Sequence, residues 1–175
     1  VGLGAGLYGK TVLYLMINFC WVQNQISTLI RKHLDQENEI VTCMGSKEGI
    51  AHLSLATLSP DDTVLVQSPT YPIHSYGVVI AGAQLKSITL KEDLDSFLFD
   101  IEESILSSAK KPKMVIINFP SNPTTQSVTI DFFKSIVEIG KKYDIWVIHD
   151  LAYADIAFDG YKAPSILEVE GAKDI

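Results

Sequence analysis

Cysteine is scarce in this chain: Cys20 and Cys43 are the only two among 175 residues. Two thiols so far apart give no metal-ligand spacing and no disulfide framework, which fits a reducing compartment and makes the cytoplasm the expected location. Basic charge is short as well. Fourteen Lys and Arg face 21 Asp and Glu, a formal net charge of −7, and this argues against nucleic acid or an anionic membrane as partner, since both call for a basic face. No repeat or low-complexity linker divides the chain. Long apolar runs are missing too. Thr11 to Val22 is too short to span a bilayer and is interrupted by Asn18. It is also followed by Gln23, Asn24 and Gln25 rather than by the small-residue cleavage site of a signal peptide. What remains is a length and a 47% hydrophobic content that suit one domain with a sizeable core and small-molecule chemistry. The chain starts on Val1 and stops at Ile175, where a new strand is expected to begin, so it reads as a fragment.

The patterning is that of an α/β fold. Apolar residues Ile26, Leu29, Ile30 and Leu34 predict a helix over Gln25 to Leu34, and Glu39 to Cys43 reads as a short strand. A loop over Gly45 to Gly49 feeds a helix from Ile50 to Leu58. Strand Thr63 to Gln67, helix Tyr71 to Ala81 and strand Gln84 to Thr89 follow. Leu90 to Asp100 reads as a connection, Ile101 to Ser107 as a short helix and Lys110 to Lys113 as a solvated loop. Met114 to Asn118 is a continuously apolar strand. Thr129 caps a helix whose buried side carries Phe132, Phe133, Ile136 and Val137. Ile145 to Ile148 is short, apolar and β-rich, the pattern of a strand buried on both faces. The strand, helix, strand order then implies a parallel pair with both following loops at one sheet edge.

That edge holds the candidate chemistry. Asp150 ends its strand where ligands bind in open α/β sheets, so it is placed to meet something cationic, with Tyr153 close behind; a turn or capping Asp is the competing reading. Gly45, Ser46 and Lys47 lead into a helix N-terminus whose free N–H groups, with the Ser46 hydroxyl and the Lys47 ammonium, suit a phosphate dianion. An ordinary helix start with Ser46 as cap explains the same residues. Tyr71-Pro72 starts a helix straight after a strand, so the Tyr71 ring is able to face the same crevice; a buried core Tyr is the competing reading. The loop Phe119 to Thr124 is pinned by two prolines and presents Asn122 rigidly, or is simply an Asn-Pro turn. His52 and His74 lack a second ligand at metal spacing and read as helix residues without chemistry. Gly4 to Thr11 satisfies both the P-loop and the G-x-G-x-x-G patterns, yet only three residues precede it where a strand is needed.

Taken together, Gly45-Ser46-Lys47, Pro69-Thr70-Tyr71-Pro72, Ser121-Asn122-Pro123 and His149-Asp150-Leu151-Ala152-Tyr153 are specific. From Glu39 to Ile175 the chain resembles the class I/II pyridoxal-phosphate-dependent aminotransferases of fold type I. Within them it is most similar to the alanine (glutamate–pyruvate) and LL-diaminopimelate aminotransferases. The resemblance implies an incomplete three-layer large domain over residues 39–175, a mostly parallel sheet with helices on both faces, preceded by a divergent segment, 1–38. It implies pyridoxal 5'-phosphate as cofactor and reversible amino transfer between an amino acid and a 2-oxo acid. The longer protein would be a homodimer. Asp150 would pair with the pyridine nitrogen, and Asn122 and Tyr153 with the ring's phenolic oxygen. Gly45, Ser46 and Lys47 would hold the phosphate, and Tyr71 would lie against the ring. The family's Schiff-base lysine and its substrate-gripping arginine fall beyond Ile175. Lys162, in a polar loop, and Lys173, at a frayed end, do not stand in for that lysine, so this fragment is expected not to transaminate. Two alternatives stand beside this reading. One is a P-loop nucleotide-binding protein with Lys10 and Thr11 at the phosphates and Asp150 on magnesium. The other is a non-catalytic aminotransferase-like module.

Overall fold

A computed structural model describes residues 14–16 and 39–175. The glycine pattern Gly4 to Thr11, Cys20 and the helix expected over Gln25 to Leu34 lie outside the described residues. In chain order the elements are β1 (Tyr14–Met16), β2 (Ile40–Thr42), α1 (Ser46–Thr57), β3 (Thr63–Ser68), α2 (Pro72–Ile80), β4 (Gln84–Thr89), α3 (Leu94–Leu106), β5 (Met114–Asn118), α4 (Ile130–Tyr143) and β6 (Trp146–Asp150). Two 3-10 turns, Ile166–Glu168 and Ala172–Asp174, close the chain. No helix among the described residues is long and apolar enough to cross a membrane.

β1 and β2 form a small parallel pair. The main sheet is wholly parallel, in the order β4-β3-β5-β6. Side chains on β3 and β5 alternate between two cores, as the two-residue period of a strand requires. Leu65, Val115 and Ile117 point into one cluster with Phe97 and Ile101 of α3 and Phe133 of α4. Val64, Val66, Met114 and Ile116 point into the other with Val78 of α2. Helices therefore cover both faces, and each fully buried Phe, Leu or Ile contributes on the order of 1.5–3 kcal/mol. Close packing of α1 on α2 depends on Gly77, where an added Cβ would meet Ser54 Oγ at 3.1 Å.

The chain leaves β3 outward to β4 and then returns to the other side of β3 for β5 and β6. The switch in direction between β3 and β5 is where a parallel sheet opens a crevice at its carboxyl ends. Ser68, Asn118 and Asp150 end their strands there.

Four expectations need correction. α1 begins at Ser46 rather than Ile50, so the glycine loop is already its first turn. α3 begins at Leu94, seven residues earlier than the expected helix, because the Asp93 side chain accepts from the Asp95 and Ser96 amides. The spacing Phe97, Ile101, Ile105 carries its buried stripe. β6 is not buried on both faces: Trp146, Ile148 and His149 keep partial exposure, since β6 is the outermost strand of the described sheet. Lys173 is not in a frayed end; its Nζ lies 2.7 Å from both Glu39 carboxylate oxygens.

Candidate functional site

Asp150 forms the floor of the crevice. It is 9% exposed, and its Oδ2 lies 2.9 Å from His74 Nε2. A carboxylate only accepts, so Nε2 carries the proton. In the neutral ring Nδ1 then accepts from the Thr70 hydroxyl, 2.5 Å away. His74 is wholly buried on the inner side of α2. The sequence reading that gave it no chemistry is therefore corrected: that reading looked for metal ligands, whereas His74 serves a carboxylate. The signal that would have found it is its place three residues into a helix that starts at the sheet's carboxyl edge. Among the described residues, Oδ1 of Asp150 accepts no hydrogen bond.

Asn118, one residue beyond the β5 apolar run, ties the neighbouring loop to this floor. Its Nδ2 donates to the Asp150 carbonyl at 2.9 Å, and its Oδ1 accepts from the Asn122 amide at 2.8 Å. The Asn122 side chain in turn donates to Tyr153 Oη at 3.0 Å. The Phe119–Pro120 and Asn122–Pro123 bonds of this loop are cis, as is Ser68–Pro69 at the end of β3.

The opposite wall is the start of α1. Gly45 is the N-cap, with φ +101 and ψ 150, a backbone conformation that only glycine adopts at low cost. Ser46 is the first helical residue and no side chain caps the helix, so the capping role considered for Ser46 is not realised. The first-turn N–H groups therefore point outward, carrying the positive end of the helix dipole. The Glu48 carboxylate turns back to accept from the Met44 amide at 2.6 Å. Lys47 Nζ lies 5.6 Å from the centroid of the Tyr71 ring. Tyr71, the N-cap of α2, meets His74 edge-on at 6.1 Å.

Contacts thus run without a break from Lys47 through Tyr71 and His74 to Asp150, and on through Asn118 and Asn122 to Tyr153. All seven residues singled out from the sequence, Gly45, Ser46, Lys47, Tyr71, Asn122, Asp150 and Tyr153, belong to this one edge. His52 stands apart on α1, beside Glu48 at 3.7 Å. Chemically, this edge offers a helix start with no side-chain cap, a buried carboxylate, an aromatic ring, and an amide and phenol pair.

The sequence profile of the family described as "Aminotransferase class I and II" matches residues 21–175. The chain belongs to the class I and II aminotransferases. This aminotransferase chain is 53% identical over 155 residues to the glutamate-pyruvate aminotransferase AlaC of Escherichia coli K12, which covers 89% of the chain and 36% of that protein. It is 42% identical over 142 residues to the LL-diaminopimelate aminotransferase of Moorella thermoacetica, covering 81% of the chain and 36% of the relative. Among solved structures, substrate-bound BacF of Bacillus subtilis superposes with a TM-score of 0.78 at 31% identity, over 87% of this chain and 38% of that one. The chain thus spans a little over a third of the length of the curated relatives it matches.

Proposed function

We propose that this chain is the cofactor-binding part of a pyridoxal-phosphate-dependent aminotransferase that moves an amino group reversibly between an alanine-like amino acid and a 2-oxo acid. In this reading residues 39–175 are part of the large domain and 1–38 a leading segment, of which 21–38 also match the family profile. One observation carries it: a buried carboxylate at a strand's carboxyl end, with Oδ2 fixed by His74 and Oδ1 without a donor among the described residues. A buried acceptor without a partner costs about 1–3 kcal/mol, so it calls for a ligand N–H. A protonated pyridine nitrogen fits that need.

Bound pyridoxal phosphate supplies an electron sink joined to the substrate's amino group. The chain's own residues hold and tune it. Asp150 Oδ1 would accept the ring N–H and keep the proton there, while His74 prevents the carboxylate from turning away. Asn122 and Tyr153 would donate to the phenolic oxygen. Ser46, Lys47 and the first-turn N–H groups of α1 would neutralise the phosphate, and the Tyr71 ring would exclude water from one face of the cofactor. The glutamate-pyruvate relative supports alanine as the amino donor. A homodimeric whole protein is supported by the exposed apolar side of α2, where Tyr76, Val79 and Ile80 are 63%, 55% and 65% exposed. The free thiol of Cys43 fits a cytoplasmic setting.

Thermal unfolding with added ligand tests the reading. At a hundredfold excess over Kd, pyridoxal phosphate is expected to stabilise the chain by about 2.7 kcal/mol, or roughly 5–10 °C for a domain of this size. ATP with magnesium is expected to do nothing, and Asp150→Ala to lose the response while keeping the fold. Protection by ATP with magnesium alone would overturn this reading in favour of the P-loop alternative.

A further inference from the structure

The backbone ladder between β3 and β5 stops early. Its register runs Val64↔Met114, Leu65↔Val115 and Val66↔Ile116 and goes no further, whereas β3 stays paired with β4 through Ser68↔Thr89. The last part of β3 therefore leaves β5 and follows β4, and this parting opens the crevice at the switch point. A side chain bridges the gap. Gln67 is 1% exposed, and its Oε1 accepts from the Asn118 backbone N–H at 3.1 Å. Its Nε2 donates to Ser121 Oγ at 3.1 Å and approaches the Asn118 carbonyl at 3.4 Å. The Gln67 amide thus stands in for the missing backbone rung and reaches past it to the residue before Asn122.

From this we infer that Gln67 is a positioning residue: its side-chain amide splices β3 to the loop after β5 and sets where Asn122 presents its amide. The inference rests on the reading of Asn122 as a donor to the cofactor's oxygen. Physically, Gln67 is suited to the task because an amide carries both an acceptor and a donor, as a peptide group does. An aliphatic side chain of similar length would fill the space but leave the Asn118 N–H and the Ser121 hydroxyl without partners. Ser121 is itself 4% exposed, so water does not readily replace the amide. The loop would then lose these ties to β3, and the Asn122 to Tyr153 contact would lose its fixed geometry.

The test uses the whole 175-residue chain, labelled with nitrogen-15, as wild type, Gln67→Met, Ser121→Ala and the double variant. Two readouts are taken at 20 °C: the side-chain amide cross-peak of Asn122, and the Kd for pyridoxal phosphate from fluorescence. Gln67→Met is expected to move the Asn122 cross-peak and to raise Kd about fivefold, the factor that one neutral hydrogen bond carries. Ser121→Ala is expected to do the same to a lesser degree and to add nothing once Gln67 is replaced, because both act through one bond. A lowered melting point in Gln67→Met with cross-peak and Kd unchanged overturns the inference, since that is what a purely structural residue would give. Additive effects of the two substitutions overturn it as well. Should Gln67→Met not fold, the Ser121→Ala cross-peak decides alone: moved, the splice stands; unmoved, it falls. If the wild type shows no saturable binding, the cofactor reading fails, while the cross-peak still decides whether Gln67 positions Asn122.

Discussion

The two oxygens of the Asp150 carboxylate have different neighbours: Oδ2 meets His74 at 2.9 Å, and Oδ1 accepts from none of the described residues. Replacing His74 by Phe keeps the ring's bulk but removes the donor. A hydrogen bond to a charged group contributes about 1.5–3 kcal/mol, so His74→Phe should weaken pyridoxal phosphate binding at least about tenfold. His74→Gln, which retains a donor towards Asp150, should recover most of that loss; titration of cofactor fluorescence measures both. Equal affinities in the wild type and His74→Phe would separate His74 from the site. Asp150, Asn122 and Tyr153 were legible in the sequence because each lies at or just past an apolar strand, where the fold class itself predicts a ligand. His74 and Gln67 were not. Their partners lie 76 and 51–54 residues away, and no local pattern marks a side chain whose purpose is to meet a distant strand.

At the scale of elements, β2 to β6 were legible to within about two residues, since short β-rich segments bounded by turn residues leave little freedom, whereas β1 was not marked as a strand. Helix starts were less legible. α3 was misread because Leu90 to Asp100 carries four acidic residues that look like a connection, whereas Asp93 is the cap that starts the helix. Its carboxylate satisfies two amides that would otherwise lack partners. Those contacts, with the Ser96 hydroxyl as the strongest, hold its pKa below the usual carboxylate value. Asp93→Ala should therefore lower Tm by roughly 2–4 °C by calorimetry, the loss of one helix cap. Cofactor affinity should not change, because α3 packs beneath the sheet and contributes nothing to the crevice. A Tm shift within error would mean that the start of α3 is held by packing alone.

For the molecule as a whole, acid stability should depend on one imidazole before any carboxylate. Burial pushes the His149 pKa down from 6.5 to about 4, against the opposing pull of the Phe119 carbonyl and of Asp150. The residue keeps some surface exposure, yet Nε2 donates to the Phe119 carbonyl at 3.0 Å and Nδ1 faces the Ile166 amide at 3.5 Å. Above pH 6.5 the ring is neutral whether the chain is folded or not, and its contribution is intact. Between 6.5 and 4 only the unfolded chain takes up the proton. Stability therefore falls as the pH drops, by up to about 3 kcal/mol, an upper bound for a partly exposed ring. Below 4 nothing further is lost at this site. Asp62 acts later: burial raises its pKa, but Lys113 and Ser59 outweigh that and hold it below 3.8, so its stabilisation is lost only as the pH falls further. Urea midpoints between pH 7 and 4.5 should decline less steeply in His149→Phe than in the wild type; parallel declines would assign the acid sensitivity elsewhere.

The reach of these contacts along the chain also sets a clock. His74 and Asp150 are separated by 76 residues, which a ribosome adding about 5–20 residues per second takes roughly 4–15 s to cover. For that interval the nascent chain carries the glycine-capped start of α1 and the whole of α2 without the Asp150 carboxylate. On the proposed reading, the helix start that would take a phosphate is synthesised before the carboxylate that would meet a pyridine nitrogen, so selectivity for the cofactor would arrive only when β6 emerges and docks.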